Sequence, residues 1–366
     1  MSEREPTRRN PSAVSSTPAI GFWRRLQAWS FPRRSRLVGI LTLTGMLWCA
    51  LAKSQFVDQS LAELDAYKNV RSYVDRTPAE LRVLIPDLKG LEPVADDAES
   101  HQALAGILGK VRENVRQFYE KFPNTTSRED ITMERLRPDG KVAAVRRETF
   151  RYLAVSQASP GASVLQEYRT DMMGNLAEPT GLEQGLVVTK GFTSQALYFH
   201  PSARLDSFFR YVGKQKVAGE DTDVVAFAQR PGWTSLTLRV VAAGRSAPVL
   251  VQGLAWIDST TYQIMRMRTD LLAPRPDLGL MGETIDTTFV EVRFPEKSGI
   301  VLWLPQNVTV TMQWKGKAKV TTIVNSPDPD DRKGGVVSTE WAHRTYRNIH
   351  HYSDYRLFGS ESSIKY

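Results

Sequence analysis

The sequence predicts a mainly β, α+β fold: a curved antiparallel sheet, a meander curling into a half-barrel or barrel, with an N-terminal helical segment packed on it. Three observations predict it. From Asp130 onward apolar residues recur with a period of two, which puts every second side chain on one face of a strand. Before that point the apolar spacing is three and four, the period of a helix. Turn residues separate the strand-like runs with no helix-length pattern between most pairs, which favours hairpins over crossovers.

The first element, residues 1–52, reads as a targeting segment. Leu37–Ala52, LVGILTLTGMLWCALA, is an uncharged, mostly apolar run of 16 residues, preceded by Arg33, Arg34 and Arg36 and ending in Ala50-Leu51-Ala52. Basic flank, short apolar core and small-x-small ending make a secretory signal peptide cleaved after Ala52; a retained N-terminal inner-membrane anchor is the alternative. Either way the remainder is exported, to the periplasm or beyond the cell. Of the chain's 48 basic and 40 acidic residues, this segment holds eight arginines and two glutamates, so the remainder keeps 40 against 38. Such near-neutrality excludes nucleic acid as a partner and leaves membrane contact to the N-terminal segment. The single cysteine, Cys49, sits in the apolar run, so the exported part carries no disulfide and no thiol nucleophile.

Residues 53–123 form the helical segment. In Thr77-Pro78-Ala79-Glu80 a capping Thr precedes Pro at the first helical position, with Glu three residues on, and Pro86 closes that helix. After an acidic, proline-containing linker, Leu88 to Ser100, apolar residues recur at Leu104, Leu108, Val111, Val115, Phe118 and Phe122. They make one stripe of a helix laid on a sheet, and Pro123 stops it.

Residues 124–366 form the β domain. VLQEYRTD (Val164–Asp171), FVEVRF (Phe289–Phe294) and NVTVTMQWKGKAKVTTIVN (Asn307–Asn325) read as antiparallel strands with one wet face. Turns are expected at Ala218–Asp221, at Lys315-Gly316-Lys317 and at Asp258–Thr261. The last divides GLAWIDSTTYQIMRMRTDLL, Gly253–Leu272, into a hairpin whose second strand puts Met265 and Met267 inside and Arg266 and Arg268 in solvent. Pro305 and the loop Ser326–Gly335 mark edges or surface excursions.

The order YVGKQKVAGEDTDVVAFAQRP, then GLAWIDSTTYQIMRMRTDL, then FVEVRFPEKSGIVLWLPQNVTVTMQWKG resembles the LolA/LolB-like lipoprotein-carrier superfamily, periplasmic proteins of the outer-membrane lipoprotein-sorting kind and their exported bacterial relatives. A hairpin with a central Gly there leads to a W-I-D-x-x-T-x-x-I-x-R strand pair, matched by Trp256, Ile257, Asp258, Thr261, Ile264 and Arg266. FPNTTSREDI (Phe122–Ile131) and HHYSDYRLFGSESSI (His350–Ile364) extend the likeness to relatives that join such a domain to an N-terminal helix. The resemblance implies an incompletely closed β-barrel with helices over its mouth and an apolar concave face that holds acyl chains.

Motifs for catalysis do not stand out. The sequence has no G-x-S-x-G elbow, no phosphate-binding G-x-x-x-x-G-K-[ST] loop and no H-E-x-x-H helix. Of the five histidines, only His343 and His351 share a strand face, roughly 26 Å apart at ~3.3 Å per residue, too far for one metal; His101, His200 and His350 read as surface or rim residues. Asp328, Asp330 and Asp331 lack the bidentate Glu of a calcium loop. No catalytic residue, metal or cofactor is therefore assigned. Aromatics remain, among them Trp233, Trp256, Trp303, Trp314, Trp341 and Tyr262. Beyond about eight strands a barrel interior is too wide for side chains alone and becomes a ligand cavity. Trp256, Met265, Met267, Phe289, Met312 and Trp314 are the cavity candidates, thioethers suiting flexible alkyl chains. The expected function is non-catalytic binding or carriage of a lipid, acyl chain or other amphiphile in the cell envelope. A partner-binding or envelope-sensing module without a cavity is the alternative, and a hydrolase the third reading.

Overall fold

In the computed structural model the described residues are 64, 67, 69–159, 162–177, 195–232, 238–242, 245–294, 299–323 and 335–358. The chain divides into Met1–Val57 and Asp58–Tyr366. The first unit, with the targeting segment and Cys49, lies outside the described residues, as do Trp233, the Trp341 side chain and Asp328, Asp330 and Asp331.

Both expected helices form, the first where its cap places it and the second beginning inside the expected linker. Helix α1 (Pro78–Leu84) opens on a reciprocal box in which the Thr77 hydroxyl accepts from the Glu80 amide at 3.3 Å and the Glu80 carboxylate accepts from the Thr77 amide at 2.8 Å. A 3-10 turn follows at Pro86–Gly90, then the two-residue strand β1 (Glu92–Pro93). Much of the expected linker is thus structured. Helix α2 (Ala98–Lys121) is capped by Asp97, whose carboxylate accepts from the Ser100 amide at 2.9 Å. Its buried stripe holds Leu108, Val111 and Val115 as read, joined by Ile107 and Tyr119.

The remaining strands are β2 (Thr125–Leu136), β3 (Val142–Ser159), β4 (Ala162–Thr170), β5 (Ser207–Val217), β6 (Glu220–Gln229), β7 (Leu238–Ala242), β8 (Arg245–Val249), β9 (Val251–Asp258), β10 (Ile264–Leu271), β11 (Leu280–Arg293), β12 (Val301–Ile323) and β13 (Gly335–Leu357). Eleven make one antiparallel sheet in the order β1-β5-β6-β9-β10-β11-β12-β13-β2-β3-β4, not closed on itself, and β7 pairs with β8 apart from it. The hairpins at Ala218–Asp221 and Asp258–Thr261 are present.

Two expectations about β12 fail. Lys315-Gly316-Lys317 makes no turn, because β12 continues through it in register with His343, Ala342 and Trp341 of β13. Pro305 lies in an interior strand, opposite Phe289 at a register shift, where the bulge removes the need for its missing N–H.

One sheet face, here the inner face, meets α2. There Ile107, Leu108, Val111, Val115 and Tyr119 pack on Phe199, Tyr211, Val225, Phe227, Ala255, Ile257, Ile264 and Met267. The other, outer face of β5, β6, β9 and β10 is not wet as expected. Leu81 of α1, with Tyr73, Ile85, Leu88 and Leu91, covers Val212, Val224, Ala226, Leu254 and Trp256. Burial on both faces explains why β6 and β9 read as nearly continuous apolar runs, VVAFA and GLAWI, rather than alternating ones. At Gly253 a Cβ would stand 2.2 Å from the Arg268 carbonyl oxygen and 2.7 Å from the Phe227 ring, so only glycine lets that ring cross β9.

Candidate functional site

The hairpin Gly253–Leu272 builds one wall of the site. Its turn is made by Asp258, whose Oδ1 accepts from the Thr260 and Thr261 amides at 3.1 and 2.6 Å and from the Thr261 hydroxyl at 2.7 Å. The hydroxyls that crowd this stretch therefore shape a turn. The carbonyl of Thr261 accepts a 2.8 Å bond from Asn114 of α2, which ties helix to hairpin. Tyr262 follows with φ 58, a left-handed conformation that is an outlier for a bulky side chain.

Beyond the turn, the strand's facing departs from simple alternation. Ile264 pairs with Ile257 and Arg266 with Trp256, so Met265 falls in a bulge between them. The bulge turns Ile264 and Met267 inward together and leaves Met265 half-buried.

Between α2 and this hairpin lies a crevice lined by Val115 and Phe118 of α2, Ala196, Tyr262, Ile264, Phe289 of β11, and Trp303 and Pro305 of β12. Asn114 and Gln263 are its polar members, and its cavity volume is about 40 Å³, with one side open to solvent. An apolar cleft with few convergent polar groups is the usual form of a small-molecule site. It offers hydrocarbon contact and amide hydrogen bonds.

No protein-family model and no curated protein matches the chain. Among solved structures it is similar to a DUF1329 family protein from Desulfovibrio piger, at 12% identity and a TM-score of 0.33 over 70% of this chain and 94% of that one. It is also similar to a LolA superfamily protein from Nitrosomonas europaea, at 10% identity and a TM-score of 0.32 over 69% and 94%.

Of the six residues read from sequence as cavity candidates, Phe289 lines the crevice and Met267, fully buried, sits in the same cluster. Met312 and Trp314 belong to a separate cluster with Val249, Leu271, Leu278 and Leu280. Trp256 faces the outer side, where its indole N–H donates to Gln215 at 3.1 Å and the Arg266 guanidinium lies 4.7 Å from its ring. The helix supplies Val115 and Phe118, which a strand-based reading could not place. Their sequence signal was the apolar stripe.

A second feature of the inner face has no counterpart in the sequence reading. Glu129 of β2 is fully buried, its Oε2 accepting from Arg169 Nε at 2.6 Å and its Oε1 from Arg169 Nη2 at 2.9 Å, Tyr352 at 2.7 Å and His350 Nδ1 at 2.9 Å. His350 is thus buried, not a rim residue. Burial pushes the Glu129 carboxyl up, but the bonds from His350 and Arg169 outweigh it and hold it well below the usual carboxylate range. Burial holds the His350 imidazole below its ordinary value, so neutral His350 donates through Nδ1. Both carboxylate oxygens of Glu129 are occupied, which makes the group an anchor for β2, β4 and β13. Elsewhere on the inner face, burial alone pushes Glu283 of β11 up to about 7. Among the described residues no three His, Cys, Asp or Glu side chains gather as metal ligands.

Proposed function

We propose that the chain is an exported, non-catalytic binding or carrier protein for an acyl chain or other amphiphile, taken into the crevice between α2 and the Asp258–Thr261 hairpin, whose walls part to admit it. The observation that carries this reading is the lining itself: aliphatic and aromatic walls from three strands and a helix, with amide groups confined to Asn114 and Gln263. Tyr262, held in a strained conformation at this wall, supports it. Phe289 touches the ligand, Met267 shapes the floor behind it, and Trp256 and Met265 take no part. Residues 1–52 direct export to the periplasm or cell envelope, and residues 53–366 make the binding body.

The test is titration of delipidated protein with a fluorescent fatty acid. Saturable binding at one site, weakened at least tenfold in Phe118→Glu and Ile264→Asp with unchanged far-ultraviolet circular dichroism, is the expected result. Absence of binding by the unaltered protein, and of acyl ligands extracted from material purified from the envelope, would refute it.

A further inference from the structure

We propose that the outer face of β2, β3 and β13 carries a second binding site, for the phosphate-bearing head of an anionic amphiphile. Arg128 of β2 stands directly opposite Arg151 of β3, and Arg356 of β13 lies one row away, opposite Thr126. Like charges facing each other across strands oppose folding unless something answers them. Asp130 answers Arg128, accepting from Nε at 2.9 Å and Nη2 at 3.0 Å. Asp354 also lies in the groove, its charge acting on Arg128. Among the described residues the guanidinium groups of Arg151 and Arg356 have neither an ion pair nor a hydrogen bond.

Strand β13 is deformed to bring Arg356 there. Ser353 pairs with Arg128 and Arg356 with Thr126, so Asp354 and Tyr355 together oppose the single residue Ser127. Without that bulge Arg356 would point to the inner face. Asp354 supports it at φ 54, a left-handed conformation that costs a non-glycine residue of order 1 kcal/mol or more. Strain that moves a guanidinium beside two others is the mark of a site for an anion, because planar forks suit phosphate oxygens.

The groove around these arginines has a volume of about 490 Å³, and Leu153, Met172 and Phe358 line it as well. Met172 is exposed. Guanidinium donors beside these apolar side chains match a phosphate with hydrocarbon attached. The site shares no lining residue with the crevice, so it stands or falls separately from the acyl-binding reading.

Calorimetry with dihexanoyl phosphatidylglycerol below its micellar concentration tests it, with dihexanoyl phosphatidylcholine and inorganic phosphate as the other arms. The charged lipid should bind at least tenfold tighter than either, less so as salt rises. Arg151→Gln and Arg356→Gln should each weaken it by about tenfold, and Phe118→Glu in the crevice should leave it unchanged. No binding of the charged lipid, or equal binding by both arginine variants, overturns the site. Inorganic phosphate binding as tightly as the lipid overturns the amphiphile.

Discussion

Replacing Arg266 by alanine should destabilise the protein by about 2–4 kcal/mol, although the sequence alone would class this residue as solvated and nearly neutral to change. The guanidinium is about one-fifth exposed, lies over the Trp256 ring at 4.7 Å and donates through Nε to Asp286 at 2.9 Å. Its Nη2 bonds both Asp286 and Asp87, the latter in the turn after α1. Half-desolvated stacking on Trp contributes roughly 1–2 kcal/mol. The Asp286 pair falls between an exposed pair worth under about 1 kcal/mol and a buried one whose breakage costs about 3–5 kcal/mol. Asp87, 40% exposed, adds little. Urea unfolding would measure the loss, with Arg293→Ala as control: Arg293 pairs with Glu291 at 75% exposure and should change stability by under about 0.5 kcal/mol. A cycle with Asp286→Asn should return a coupling of about 1 kcal/mol or more. If Arg266→Ala and Arg293→Ala prove equally mild, the stacking on Trp256 and the Asp286 pair contribute nothing and Arg266 is the solvated residue that the sequence alone suggests.

Glu283 should make stability fall as pH rises. Its folded value is raised to about 7 from an ordinary 4.5, so its contribution is complete below about 4.5 and is lost as pH climbs through 7. Glu283→Gln should therefore exceed the unaltered protein in stability by up to about 3 kcal/mol at pH 8, the gap closing towards pH 4.5; a gap independent of pH in chemical unfolding would show that the carboxyl does not titrate there. Glu129 should behave oppositely, since its depressed value gives stability that is present above about 4.5 and lost as pH falls below it. Glu129→Gln leaves Arg169 without its buried carboxylate and should cost about 3–5 kcal/mol, read as a lowered thermal midpoint; a variant as stable as the parent would mean that Arg169 finds another acceptor.

What the sequence determined by itself is what neighbours along the chain enforce. The Thr77 and Asp258 side chains reach amides two or three residues away, so the α1 cap and the Gly253–Leu272 hairpin could be read locally. The period-two runs announced β4, β11 and β12, and the spacing of Leu108, Val111 and Val115 announced α2. The tertiary structure alone decided facing and depth. A one-residue bulge moved Met265 out of the alternation and Ile264 in, and another moved Arg356 to the outer face. Each inverts every side chain beyond it, and no local residue type specifies where it falls. Trp256 and Arg266 were hidden on the outer side because α1 and the turn after it, distant in sequence, cover that part of the face. The Glu129 cluster draws Arg169, His350 and Tyr352 from separations of 40, 221 and 223 residues. Only the strand order that sets β13 beside β2 brings those groups within bonding distance, and pairing between strands so far apart leaves no trace in either strand's own pattern.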